Sequence, residues 1–269
     1  MPEVKVGDIN MYYEIHGKGE PLVFINGRNM CADLLYRHIP VFAKDYRVIV
    51  FDNRGVGKSD APDVPYSLEM MANDLKGLLE VTGIDKAHLA GYSMGARIAE
   101  EMALSYPEMV KSLLLVCPIT WSADIPWLPA QIPDDEKKQW EALSREEQVW
   151  GFIRGVVSEE FIENNRDLTE KMARIILEGQ GPQHAQKWHA HASETYDNYK
   201  RLPQIKAPTL ILAGREDRTV PLDNINILKE RLPKAELVVM DKKGHFMIWE
   251  GFEESNRIML DFLRRHSKN

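Results

Sequence analysis

The sequence predicts an α/β protein, a mostly parallel β-sheet covered by helices on both faces, and three observations carry that prediction. Short continuous apolar runs such as Pro21-Leu-Val-Phe-Ile25 and Arg47-Val-Ile-Val-Phe51 suit strands covered on both sides. Stretches with apolar residues three and four apart separate them, so strand and helix alternate, as parallel pairing requires. The composition, 44% apolar and 28% charged over 269 residues, is that of a globular chain with a large core, which excludes disorder. The length fits two domains or one domain with a large insertion.

Taken in order, Ile9, Met11, Tyr13 and Ile15 alternate with more polar neighbours, as in a half-buried strand. The runs 21–25 and 47–51 follow. A helix is then predicted where Leu68, Met71, Leu75, Leu78 and Leu79 recur before Gly83. Lys86-Ala-His-Leu-Ala90 reads as a strand. Ile98, Ala99, Met102 and Ala103 mark a helix ending before Pro107, and Leu113-Leu-Leu-Val116 is the next buried strand. The rhythm resumes with a strand at Pro208–Ala213, a helix near 222–232, a strand at Leu237–Met240 and a last helix from about 252 to 265.

Between these halves, Ile119 to Pro203 has no buried strand run, many charges, and five of the tryptophans: Trp121, Trp127, Trp140, Trp150 and Trp188. It reads as a helical insertion, opened by Pro118, Pro126 and Pro129 and closed by Pro203, that caps an apolar surface. Residues 1–118 and 204–269 form the core and 119–203 the cap. Most of these tryptophans are expected to hold the insertion together.

The formal net charge of −7, with no basic block, disfavours a nucleic-acid partner. The opening Met1-Pro2-Glu3-Val4-Lys5 leads into no apolar signal region and no run is long enough to span a membrane, so a cytoplasmic protein is expected. Cys31 and Cys117 cannot make a disulfide framework, show no metal spacing, and read as buried small apolar residues.

The chemistry centres on Gly91-Tyr92-Ser93-Met94-Gly95, between a strand and a helix. A sharp turn with a serine at its apex needs glycines two residues either side, where side chains would collide. A serine hydroxyl needs a base and a group to orient that base. His245, in Lys243-Gly244-His245-Phe246 after the last strand, is the base the order allows; a flexible Gly244 would let it swing over the sheet edge. His16, His38 and His88 precede the serine, His184, His189 and His191 fall in the insertion, and His266 is in the tail. Asp217, directly after a buried strand, is the preferred acid, ahead of Asp124 and then Asp241; Glu216 should point away from it.

Two other patterns are set aside. Gly55-Val-Gly57-Lys58-Ser59 lacks the first glycine of a phosphate-binding loop, with Asp52 in its place. His184, His189 and His191 lack metal spacing. Arg97, a turn beyond Ser93, reads as a buried ion-pair partner, and His88 as a hydrogen-bonded core residue.

The elbow, the chain order Ser93, Asp217, His245, the loop Asp52-Asn-Arg-Gly-Val-Gly-Lys-Ser59 and the ending Gly244-His245-Phe246 resemble the α/β-hydrolase superfamily over nearly the whole chain. Within it the sequence is similar to capped esterases and lactonases of the 3-oxoadipate enol-lactonase type. The resemblance implies an eight-stranded sheet, a lid after the sixth strand, and hydrolysis of a small ester or lactone through an acyl-enzyme, without cofactor or metal. It implies an oxyanion hole from the backbone N–H of Met94 and of Arg28, in Asn26-Gly27-Arg28-Asn29, where the family commonly has His-Gly at the first two positions. The 52–59 loop is expected to pair Asp52 with Arg54. Substrate contacts are expected from Tyr92, Arg28, Trp121 and Phe246. The Arg28 side chain would recognise an acidic substrate group, or else face solvent or pair with a cap carboxylate. Carbon–carbon, amide or thioester hydrolysis on the same triad, and a ligand sensor with little turnover, are the alternatives; the iminopeptidases' His-Gly-Gly-Pro segment is absent and the dehalogenases' aspartate is replaced by Ser93.

Overall fold

A computed structural model describes residues 3–122, 138–140 and 142–267 of the chain. Eight strands, β1 (Glu3–Val6), β2 (Ile9–His16), β3 (Glu20–Ile25), β4 (Tyr46–Phe51), β5 (Ala87–Tyr92), β6 (Val110–Val116), β7 (Thr209–Gly214) and β8 (Glu236–Met240), form one sheet in the order β1-β2-β4-β3-β5-β6-β7-β8. Only β2 runs against its neighbours β1 and β4; every other pairing is parallel. The predicted strands are all present. The short edge strand β1 went unpredicted because four residues carry too little alternation to read.

The period-two geometry of strands explains two cores. Val23, Ile25, Ile49, Phe51, Leu89, Leu113, Leu115 and Ile211 face one side, where α2 (Leu68–Val81), α3 (Met94–Ser105) and α8 (Leu222–Arg231) pack. Their alternates Leu22, Phe24, Val48, Val50, Leu114, Val116 and Leu212 face the other, against α1 (Ile39–Phe42), α9 (Met247–Glu250) and α10 (Phe252–His266). β3 to β7 are therefore covered on both faces, which is why they read as continuous apolar runs rather than alternating ones. The helix starts follow local chemistry: Ser67 caps α2 by accepting from Met70 N–H at 3.1 Å.

Between β6 and β7 run α4 (Arg145–Val156), α5 (Glu159–Asn164), α6 (Arg166–Gly179) and α7 (Gln183–Thr195). A reciprocal cap between Ser144 and Glu147 opens α4. Val149, Ile153, Met172 and Ile176 join one sheet core, and Ala185, Ala192 and Tyr196 join the other. Trp140 is 43% exposed, and the Trp188 indole donates to Asp63 at 2.8 Å, tying the insertion to the loop before α2. Trp127, Pro126 and Pro129 lie outside the described residues. Among the described residues no helix is long and apolar enough to cross a membrane.

Candidate active site

The elbow is built by backbone, and its glycines are required by close approach. Ser93 sits at φ 52°, ψ −117°, a conformation strained for an L-residue, at the N-terminus of α3. Its N–H donates to Val116 O at 2.8 Å, which fastens the turn to β6. A Cβ on Gly91 would lie 2.3 Å from Gly95 O, and one on Gly95 would lie 2.0 Å from Ile25 O. Gly91 thus lets the turn fold back on itself, and Gly95 lets α3 rest on the end of β3.

The structure brings together the three residues that sequence order selected. His245 Nε2 lies 3.1 Å from Ser93 Oγ, and His245 Nδ1 lies 2.7 Å from Asp217 Oδ2. Asp217 Oδ1 accepts from Thr219 N–H and Val220 N–H, both at 2.8 Å, so one carboxylate oxygen is anchored while the other faces the imidazole. Asp217 and His245 are 7% and 3% exposed, hence little water competes for their contact. Ser93 is half-buried and reachable. With the Nδ1 proton donated to Asp217, Nε2 is left as an acceptor for the serine hydroxyl, the arrangement of a nucleophile with its general base. Asp241 is occupied elsewhere, by Arg215 at the surface; Glu216 is exposed; Asp124 lies outside the described residues.

Gly244 has a different part from the flexible hinge expected. Its φ is not positive, and a Cβ on it would come within 2.9 Å of Val156 O. The loop is held tight: Gly244 N–H donates to Glu250 at 2.8 Å, Phe246 N–H to Val156 O at 2.9 Å, and Glu216 N–H to Lys243 O at 2.9 Å.

Two buried donors converge on the carbonyl of His245, and neither was foreseen in that role. Tyr92 Oη donates to it at 2.9 Å and Cys117 Sγ at 3.0 Å. Burial, then the nearby Asp217 carboxylate, pushes the Cys117 thiol far up its pKa scale, so it stays a protonated donor. Pairing of Tyr92 with Val116 puts Cys117 level with Ser93 at the sheet edge; that register was the signal which reading Cys117 as a plain apolar residue overlooked. Among the described residues, Cys117, Asp217 and His245 also form the cluster of possible metal donors, with atoms within 4.8 Å of one another, two of them already paired as above.

Tyr92 and Phe246, expected to touch substrate, lie in the buried core. They are 5% and 2% exposed, and their rings meet edge-on at 5.3 Å, with Phe246 also against Phe152. Trp121 is half-buried.

The 26–29 loop is braced as the substitution of asparagine for histidine requires. Asn26, 4% exposed, donates through Nδ2 to Cys31 O at 2.9 Å. A Cβ on Gly27 would lie 3.3 Å from Ser93 Cβ, so this loop stacks directly on the elbow. Asn29 takes φ 59°, and its N–H donates to His189 Nδ1 at 3.3 Å. His189 Nε2 in turn contacts Arg54 O at 2.8 Å. Burial holds His189 down at about 4, so it is neutral, one nitrogen accepting and the other donating. Among the described residues, neither Met94 N–H nor Arg28 N–H has a hydrogen-bond acceptor.

The expected Asp52–Arg54 pair does not form. Asp52 instead accepts from Ala32 N–H at 2.7 Å and Lys58 N–H at 2.8 Å, while Arg54 grips Asp74 through Nε at 2.6 Å and also reaches Asp8. Backbone donors, one inside the loop and one from Ala32 across from it, satisfy Asp52 before a side chain can. Gly57 leaves room for this, since a Cβ there would meet Asp52 Oδ2 at 2.1 Å. Arg97 also differs from expectation: its guanidinium donates to Ser193 O at 2.6 Å and to Tyr196 O, the carbonyls ending α7, rather than to a carboxylate. His88 is a core residue, between Ser112 Oγ and Glu20. His184 binds Ala61 O and His191 packs edge-on against Trp188, so the three insertion histidines do not converge. An open cleft of about 1110 Å³ between α4, α5 and α6, lined by Leu143, Trp150 and Arg154 among others, includes none of the three aligned residues.

A parallel sheet with a strained serine after its fifth strand, and an acid and histidine after its seventh and eighth, defines the hydrolase class of α/β protein. The chain belongs to the α/β-hydrolase fold family, which it matches over residues 20–252. It is 34% identical over 273 residues to the 2-hydroxy-6-oxononadienedioate/2-hydroxy-6-oxononatrienedioate hydrolase of Burkholderia vietnamiensis, covering 96% of this chain and 92% of that one. It is 34% identical to the 2-hydroxy-6-oxo-6-phenylhexa-2,4-dienoate hydrolase of Burkholderia cepacia, covering 92% and 88%. Among solved structures it is similar to Est816, described as an N-acyl homoserine lactone degrading enzyme, with TM-score 0.82, 27% identity and coverage of 97% and 100%. The enol-lactonase of Burkholderia xenovorans shares the fold at TM-score 0.87 and 19% identity, covering 98% and 100%.

Proposed function

We propose that this protein is a serine hydrolase that cleaves a small carboxylic ester or lactone through an acyl-enzyme. The observation that carries the reading is the continuous line from Ser93 Oγ through His245 to the anchored Asp217. Ser93 Oγ attacks the acyl carbon while His245 Nε2 takes its proton. The proton passes to the leaving alkoxide, and His245 then activates water to release the acid. Asp217 fixes the tautomer and stabilises the imidazolium. The free N–H groups of Met94, at the positive end of α3, and of Arg28 receive the oxyanion, where each donor is worth about 3–4 kcal/mol. Helix α7 of the insertion covers the 26–29 loop beside the site, a role supported by His189 reaching down to Asn29 and Arg54. No step calls for a cofactor.

The test is labelling by a fluorophosphonate together with turnover of nitrophenyl esters and lactones. Labelling at Ser93, absent in Ser93→Ala, supports the reading; turnover of an ester with no label on Ser93 defeats it.

A second reading, carbon–carbon cleavage of a vinylogous diketone on the same residues, is favoured by the 34% identity to relatives named for such dienoate and dienedioate substrates. Loss of a 2-hydroxy-6-oxo-dienoate chromophore far outpacing ester turnover would select it.

A further inference from the structure

We propose that the Arg28 guanidinium is a specificity site, which pairs with a carboxylate carried by the substrate. The inference deepens the reading of Ser93 as the nucleophile and rests on it. Three features of the 26–29 loop lead to it.

The side chain of Arg28 is accessible, yet among the described residues it makes no hydrogen bond and no ion pair. The alternative of a partner carboxylate from the insertion is not met there: Glu194, exposed on α7, is felt only at a distance. Second, the loop that carries it is held to the insertion: the next residue, Asn29, donates its N–H to His189 of α7, and surrounding protein lowers the Arg28 pKa by desolvation, with Glu194 opposing. Third, its place relative to the reaction is fixed. Gly27 packs on the elbow, with its Cβ position 3.3 Å from Ser93 Cβ, and Asn29 N–H is pinned by His189 at 3.3 Å. Arg28 sits between two immobilised neighbours, next to the reacting serine.

An accessible guanidinium with no counter-ion among the described residues is open to a ligand, and a bidentate carboxylate is the partner that its planar fork fits. A neutral substrate makes no such pair. A carboxylated ester or lactone makes it on binding, so the side chain discriminates by charge while the backbone N–H of the same residue remains available to the oxyanion.

The experiment has two arms. In the first, glutarate binds Ser93→Ala protein, followed by calorimetry, and the comparison is with the double variants carrying Arg28→Met or Arg28→Lys. We expect at least a tenfold weaker Kd with methionine and a smaller loss with lysine, which keeps the charge but not the fork. In the second, kcat/KM for mono-4-nitrophenyl glutarate is divided by that for the isosteric neutral 4-nitrophenyl 5-methylhexanoate. The ratio should fall at least tenfold in Arg28→Met. Equal glutarate affinity in all variants, or no saturable binding of glutarate to folded Ser93→Ala protein, overturns the proposal, as does an unchanged ratio. Fluorophosphonate labelling separates this from the reaction itself. If Ser93 is not labelled but glutarate binding still depends on Arg28, the nucleophile reading fails and the anion site stands.

Discussion

Replacing Asp217 by asparagine should disable the protein almost without loosening it. Oδ1 of Asp217 accepts two backbone N–H groups at 2.8 Å, from Thr219 and Val220. An asparagine must keep its carbonyl there, because turning the NH2 toward two backbone donors forfeits two hydrogen bonds, about 2–3 kcal/mol together. The NH2 is therefore presented to His245 Nδ1, the atom now 2.7 Å from Oδ2. Nδ1 has to become an acceptor, the ring proton moves to Nε2, and Nε2 then faces Ser93 Oγ at 3.1 Å as a donor with no lone pair for the hydroxyl proton. A wrong tautomer of this kind costs about 10⁴-fold in kcat. The assay is nitrophenyl butyrate turnover at pH 8, with Ser93→Ala as the floor, beside a thermal melt. Activity within tenfold of wild type would refute the reasoning. Asp217→Ala differs in kind, since it also strips Thr219 and Val220 of their acceptor and should lower stability.

Four further outcomes follow from particular contacts. Gly95→Ala places a methyl 2.0 Å from Ile25 O, against backbone that cannot yield, and should cost about 3 kcal/mol or more in urea unfolding. Gly155→Ala, in α4 with open space around it, should instead stabilise by about 0.5–1 kcal/mol. Tyr92→Phe and Cys117→Ala each remove one of two donors to His245 O; each should lower kcat several-fold with little change in KM, and a double-mutant cycle should show coupling above about 0.5 kcal/mol. His38, buried and held down at about 4, is neutral when folded, whereas the unfolded chain binds a proton near 6.5. Its contribution is present above pH 6.5 and fades as pH falls toward 4, about 2–3 kcal/mol between pH 7 and 4.5. Glu100, pushed up to about 7, acts with the opposite sign, so the measurement is the pH slope of wild-type stability minus that of His38→Gln.

The parts of the fold that were legible are those written in short-range signals. Continuous apolar runs gave β3, β4, β6 and β7, because burial on both faces removes alternation. The aligned Ser93, His245 and Asp217 were legible because a strained turn demands glycines and because the order of the three along the chain is fixed by the strands that carry them. What sequence did not reveal depends on which neighbour arrives first. Asp52 and Arg54 are opposite charges two residues apart, yet each is satisfied elsewhere, by Lys58 N–H and by Asp74. Tyr92 and Phe246 flank Ser93 and His245 in sequence, but strand alternation turns Tyr92 into the core, where Phe246 packs on it. Cys117 needed the β5–β6 register, and the His189 strut needed the path of α7, neither of which any local pattern encodes.

Rapid-quench kinetics with a nitrophenyl ester, joined to peptide mass spectrometry, tests the central claim most directly. A burst of one nitrophenolate per protein, with the acyl group recovered on the peptide bearing Ser93, is the predicted result. Turnover by a protein that never carries an acyl group there, or that carries it on another side chain, would contradict it.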